Sequence, residues 1–188
     1  MKISETGLAG VYLMEPAVFE DERGWFMESF SLRELQKAGI CDEFVQDNHS
    51  FSAKKGTLRG LHFQNPPMAQ AKLVRCTRGA VWDVAVDLRK GSAGYTRWFA
   101  AELSEKNKLQ LYLPRGFAHG YLTLADASEV EYKTDQYFSH LHDRSVRYDD
   151  PAIGIPWDVS DPILSSKDRK APLLKDSDAG FVFGGDRL

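Results

Sequence analysis

The sequence predicts an all-β sandwich or jelly roll, and three observations predict it. From Phe44 to about Tyr137 the chain is a succession of short runs rich in β-branched and aromatic residues, each closed by a turn. Only one early segment carries both a helix start and a helix stop signal. Finally, 188 residues with 43% hydrophobic and 12% aromatic content suffice for one core, so a single domain is expected over 1–188.

Taken in order, Gly10-Val11-Tyr12-Leu13-Met14 and Ala17-Val18-Phe19 read as strand, break and strand, with Pro16 as the break. The polar turn Glu20-Asp21-Glu22-Arg23-Gly24 leads into Trp25-Phe26-Met27-Glu28-Ser29-Phe30, a further strand. Ser31 to Gly39 is the clearest helix: Ser31 is a cap, Glu34 follows three residues later, and Gly39 stops it. Strand-like runs then cover Lys72 to Thr77, Ala80 to Leu88, Thr96 to Leu103, Leu109 to Pro114 and Glu129 to Thr134. After Pro151 the composition shifts to Asp, Ser, Pro and Lys, and a tail of short helices and loops is expected. The chain contains no low-complexity segment and no convincing repeat.

Composition narrows the function classes. Net charge is −3 and the Lys and Arg residues are scattered, so neither a nucleic-acid face nor a membrane-surface patch is expected. Cys41 and Cys76 do not form a metal-type pair, which fits a reducing compartment without disulfides. The N-terminus lacks the features of a signal peptide, and no window has the apolar length of a membrane span. A cytoplasmic location is expected.

Two stretches carry chemistry. Gly56-Thr57-Leu58-Arg59-Gly60-Leu61-His62-Phe63-Gln64 ends an apolar run on a histidine, whose unperturbed pKa of about 6.5 suits proton transfer near neutrality. Pro114-Arg115-Gly116-Phe117-Ala118-His119 has the Pro-x-Gly-x-x-His spacing of the second cupin motif, and the pair resembles a cupin jelly roll. The resemblance implies a mainly β, antiparallel sandwich or barrel with a few short peripheral helices. In metal-binding cupins the first motif reads His-x-His followed by a glutamate. Here Gln64 holds the second position and no glutamate follows before Glu102, so no metal and no cofactor are expected. Chemistry in such a cavity is acid–base chemistry.

A more specific resemblance spans almost the whole chain. Asp21-Glu22-Arg23-Gly24, Glu28-Ser29-Phe30, Gln46 to Ser50, Leu58 to Gln64, Gln70 to Val74, Asp83 to Asp87, Pro114 to Gly120 and Tyr132-Lys133-Thr134 look like the motifs of the dTDP-4-dehydrorhamnose 3,5-epimerase family, in that order. This implies a dTDP-4-keto-6-deoxy-D-glucose type of substrate, epimerised at C3 and C5 through an enolate on the way to dTDP-L-rhamnose. It also implies a homodimer with an exchanged N-terminal strand, in which the Arg23-to-Phe30 segment reaches the neighbouring site.

The residue types suit that chemistry. A 4-keto group acidifies the hydrogens on both adjacent carbons, so the reaction needs a base on one face, an acid on the other and cationic support at the enolate oxygen. His62 is the candidate base and Tyr132 the candidate acid. By family analogy Asp168 orients His62, and Lys72 supports the enolate. Period-two alternation puts Val130, Tyr132 and Thr134 on one strand face and Glu129, Glu131 and Lys133 on the other. Arg23 and Arg59, with Lys167 or Arg169, are diphosphate candidates because they present positive donors to phosphate oxygens. By resemblance Phe26, Glu28, Gln46, Asn48, His119 and Asp143 are further substrate-binding positions, and Phe138 stacks on the base. Strict alternation sets Arg59 and His62 on opposite faces, so a shared pocket requires a bulge or kink at Gly60.

His140 and His142 sit in a polar loop without a third ligand and read as surface residues. Three functional readings remain open at this level: the 3,5-epimerase, a mono-epimerase acting at one carbon of a related nucleotide sugar, and a cupin of another class, either a non-catalytic sugar-binding protein or a metal-dependent oxygenase.

Overall fold

A computed structural model describes residues 1–184. In chain order its strands are β1 (Lys2–Glu5), β2 (Tyr12–Glu15), β3 (Val18–Asp21), β4 (Gly24–Met27), β5 (Gln46–Ser52), β6 (Leu58–Gln64) and β7 (Lys72–Arg78). They continue with β8 (Ala80–Asp87), β9 (Trp98–Ser104), β10 (Gln110–Leu113), β11 (Phe117–Thr123), β12 (Ser128–Thr134) and β13 (Asp143–Ser145). Helix α1 (Leu32–Lys37) follows β4, and the tail holds α2 (Ser166–Arg169) and a 3₁₀ turn, Leu174–Asp176.

The strands form two sheets and a detached hairpin. One sheet has the order β1-β2-β10-β7-β12-β5 and the other β13-β6-β11-β8-β9, while β3 and β4 pair only with each other. All pairings within these sheets are antiparallel. Neighbours distant in sequence, such as β10 beside β2 and β12 beside β5, give the interleaved topology of a jelly roll.

Burial explains why some strands alternate and others do not. Val74, Val81, Ala85, Leu103, Leu111, Phe117 and Val130 meet in one cluster drawn from six strands of both sheets. On β8 the next residues over, Val84 and Val86, belong to a second cluster with Leu61, Phe63 and Ala118, covered by Ile153, Ile155, Leu174 and Phe181 of the tail. Both faces of β8 and β11 are therefore buried, and their sequences read as nearly continuous apolar runs. The tail is tied down by backbone bonds, Leu58 N–H to Ile163 O at 3.0 Å and Lys90 N–H to Phe181 O at 3.0 Å. Helix α1 buries Leu35 in a third cluster with Met14, Leu73 and Tyr112.

One expectation needs correction, and one strand is not among those expected. Ser31 makes no side-chain cap bond; Glu34 instead pairs with Lys37 at 2.6 Å, so no reciprocal capping box forms, and Gly39 closes the helix at φ +82°. Strand β1, polar and at the sheet edge, lacks the alternation that would reveal it. No helix among the described residues is long and apolar enough to cross a membrane.

The kink at Gly60 is present. Gly60 has φ +140°, and a Cβ there would lie 2.6 Å from the Gly120 Cα and 3.1 Å from the His119 carbonyl. The β6–β11 register shifts between His119 and Tyr121, opposite this point. As a result Leu61 and Phe63 pack in the tail-covered cluster, while Arg59 and His62 line the same cavity. Gly60→Ala is expected to lower unfolding free energy by about 2 kcal/mol or more, combining backbone strain with a backbone clash. A lower urea midpoint with unchanged m is the check; an unchanged midpoint refutes this account of the strand crossing.

Candidate active site

The cavity encloses about 210 Å³ and is walled by both sheets. Strand β6 supplies Arg59 and His62, β7 supplies Lys72, β11 supplies His119 and Tyr121, and β12 supplies Tyr132. Phe138, Asp143 and Lys167 complete its mouth.

His62 is held from behind. Its Nε2 lies 2.5 Å from Asp168 Oδ1, a contact between residues 106 apart in the chain. Asp168 is only 2% exposed and is fixed in turn by Ser165, whose hydroxyl donates to Oδ2 at 2.7 Å and accepts from the Asp168 N–H at 3.1 Å. Burial opposes the charge on Asp168, but the His62 and Ser165 hydrogen bonds, with the nearby Lys167, outweigh it and hold the carboxyl below its usual range. For His62 burial dominates and depresses the imidazole pKa, with Asp168 pulling the other way. A neutral imidazole donating from Nε2 to an ionised carboxylate leaves the lone pair on Nδ1, which is the tautomer a base requires.

Lys72 is 6% exposed and makes no ion pair among the described residues. Desolvation lowers its pKa to about 8, against the supporting charges of Asp143 and Asp83. Its Nζ stands 5.6 Å from the centroid of the Tyr132 ring. Burial raises the Tyr132 pKa, partly countered by Arg59, so the phenol stays protonated and able to donate. On β12, Val130 and Thr134 are buried alongside Tyr132, while Glu131 and Lys133 pair outward with Arg75 and Asp47. That is the alternation expected from the sequence.

His119 is backed by a second carboxylate: its Nε2 lies 2.9 Å from Asp83 Oδ2, and Asp83 is fully buried. Arg59 is steered by Ser52 Oγ at 3.2 Å and the Phe51 carbonyl at 2.9 Å, leaving its charge without a carboxylate partner among the described residues. Gln64 is fully engaged, donating to the Met68 and Tyr137 carbonyls at 2.7 and 3.1 Å and accepting from the Ser139 N–H at 2.6 Å. It shapes the loop that carries Phe138 rather than offering a ligand atom. Among the described residues no group of three or more His, Cys, Asp or Glu side chains is arranged to hold a metal ion. His142 bonds Ser139 at 2.8 Å within its turn.

Several expected positions lie elsewhere. Arg23 points into solvent with its side chain 86% exposed and pairs with Asp21. Phe26 is 71% exposed on the detached hairpin, and Glu28 is exposed just beyond it. None of the three reaches this chain's cavity, because β3–β4 joins neither sheet. Arg169, offered beside Lys167, turns its guanidinium to the Leu164 carbonyl. Gln46 and Asn48 bond each other at 2.9 Å, and Gln46 accepts from the Phe138 N–H at 3.0 Å, so they brace the mouth without lining it.

Sequence reasoning passes over Asp83 and Ser165 as working residues, although signals for both exist. In Val81, Asp83, Ala85 and Asp87 a carboxylate interrupts an apolar strand face, and Ser165-Ser166-Lys167-Asp168 has the spacing of a helix capping box. Tyr121, bonded to Ser50 at 2.8 Å, carries no comparable mark.

Comparison with known proteins matches residues 5–176 to the family model described as dTDP-4-dehydrorhamnose 3,5-epimerase. The chain is 48% identical over 179 residues to the enzyme of that name from Shigella flexneri, covering 95% of this chain and 98% of that one. Among solved structures it is similar to the Bacillus anthracis 3,5-epimerase with TDP and PPi bound, at TM-score 0.89 and 48% identity over 92% of this chain and 98% of that one. It is likewise similar to the Legionella pneumophila epimerase in complex with dTDP-4-keto-L-rhamnose, at TM-score 0.90 and 41% identity over 95% of each chain.

The His62 pair has a signed consequence. NMR titration is expected to find the imidazole below its usual pKa, and Asp168→Asn, by removing the anion that favours imidazolium, to lower it further. A rise in the variant contradicts this electrostatic account.

Proposed function

The chain belongs to the dTDP-4-dehydrorhamnose 3,5-epimerase family and is an isomerase, and from that premise we propose how its own residues carry the reaction. The substrate is a dTDP-4-keto-6-deoxyhexose, inverted at C3 and C5. His62 removes the proton from a carbon adjacent to the ketone, and its imidazolium is stabilised by Asp168. The electron pair moves onto the C4 oxygen, where protonated Lys72 faces the developing charge. The phenol of Tyr132 returns a proton to the opposite face of the same carbon. Solvent then reprotonates the phenolate and takes the proton from His62, and the same cycle runs at the second carbon, so each inversion exchanges one carbon-bound hydrogen.

One observation carries this reading: His62, backed by the buried Asp168, opens on the same cavity as Tyr132 and Lys72. Lys72 is suited to its role because burial weakens its hold on a proton while leaving it cationic at neutral pH. Arg59 and Lys167 take the diphosphate, and Phe138, 57% exposed at the mouth, stacks on the base.

We further propose that the functional unit is a homodimer in which β3–β4 crosses to the neighbouring cavity, delivering Arg23, Phe26 and Glu28. The hairpin's isolation from both sheets and its outward Phe19, Trp25 and Phe26 support this.

In deuterated water with the 4-keto-6-deoxyglucose nucleotide, label is expected at both C3 and C5, with the rate falling above about pH 8 as Lys72 loses its proton. His62→Asn or Tyr132→Phe is expected to lower the overall rate by about 10²- to 10⁴-fold. Label at one carbon makes the protein a mono-epimerase, and label at neither overturns the reading. Mixing inactive His62→Asn and Phe26→Ala chains is expected to restore activity at one of the two sites of each mixed dimer; no recovery overturns the exchanged hairpin.

A further inference from the structure

A carboxylate in the wall of a pocket that receives a diphosphate repels that ligand, even though here it also supports the charge on Lys72. Asp143 is part of this wall, and among the described lining residues it is the one carboxylate. Asp83 and Asp168 stand behind histidines, whereas Asp143 Oδ2 accepts directly from Lys167 Nζ at 2.5 Å. The Lys167 side chain is 44% exposed and that of Asp143 22%.

The two backbones are fixed while the lysine remains free to swing. Asp143 is paired with Gln64 across β13 and β6. Lys167 lies on α2, pinned through Ser165 and through the Asp168–His62 bond. Both residues also line an adjoining cleft with Lys170 and Arg144, so Lys167 has open space on either side of its present partner. An exposed ion pair of this kind contributes little to stability and is readily exchanged for a stronger anion. A diphosphate carries more charge and more acceptor oxygens than one carboxylate.

Resting on the reading that Lys167 receives the diphosphate, we propose that Asp143 is a built-in competitor for that lysine. In the free enzyme Asp143 occupies the ammonium group; the entering nucleotide takes Lys167 and releases the carboxylate. Asp143 thereby weakens nucleotide binding, which favours departure of the product through recapture of Lys167. It also keeps an uncompensated cation from standing at the mouth when the site is empty.

The sign of one substitution separates this from an ordinary substrate contact. Calorimetric titration with dTDP is expected to show Asp143→Asn binding about two- to five-fold more tightly than the parent, the range that release of a partly exposed ion pair supports. Asp143→Ser, which removes the carboxylate without adding an amide, is expected to tighten binding likewise. Lys167→Met is expected to weaken binding, and the double variant Asp143→Asn, Lys167→Met to match Lys167→Met alone. If Lys167→Met weakens binding while both Asp143 variants leave it unchanged or weaker, the competitor role is overturned and Asp143 is a ligand contact. If Asp143→Asn still tightens binding in the absence of Lys167, the competition does not run through that lysine and the proposal fails. If Lys167→Met has no effect, the diphosphate assignment beneath the proposal fails first.

Discussion

The close approach of β6 to β11 at Gly60 and Gly120 is the constraint from which the site follows. Two glycines face each other where a Cβ on either would sit within 3 Å of the other strand's backbone. The displaced register turns Arg59 and His62 toward one cavity, while Leu61 and Phe63 remain packed beneath the tail. With regular alternation, the strand would put Arg59 and His62 on opposite sides of the sheet. The sandwich thus yields a local hydrogen-bonding defect in return for a convergent pair, and glycine is the residue that lets the backbones come that close.

Around that pair, burial and charge are arranged in graded fashion. Asp168 and Asp83, both deep, orient imidazoles without facing the cavity; Lys72 is buried and weakened as a base; Arg59 stays unpaired by carboxylates among the described residues. Placing the anions behind the histidines keeps the cavity wall electropositive while still fixing the imidazole tautomers. Tyr132 fits the same logic, since a phenol desolvated in this setting keeps its proton until another group creates a demand for it.

Much of this is legible in sequence for a physical reason. Strands buried on both faces, such as β8 and β11, leave long apolar runs, and β12, polar on one side, leaves clean alternation. The need for a kink at Gly60 follows from counting residues between Arg59 and His62. What is not legible depends on partners chosen in three dimensions. Ser31 and Glu34 have the spacing of a capping box, yet Lys37 competes for the glutamate and takes it. Arg23, Phe26 and Glu28 read as site residues by resemblance, but nothing in their own segment tells that their hairpin joins neither sheet. The Asp143–Lys167 contact joins residues 24 apart across two elements, and no local pattern announces it.

The tail that roofs the five-stranded sheet has a bearing on when the protein becomes competent. The bond between His62 and Asp168 closes a loop of 106 residues, so it belongs among the most non-local contacts in the chain. The same tail supplies Asp168 and covers the cluster of Leu61, Val84 and Ala118, so a molecule whose tail lifts loses the carboxylate behind its imidazole together with that apolar cover. On the proposed mechanism, activity reports tail docking, because the carboxylate that orients His62 arrives only with the tail.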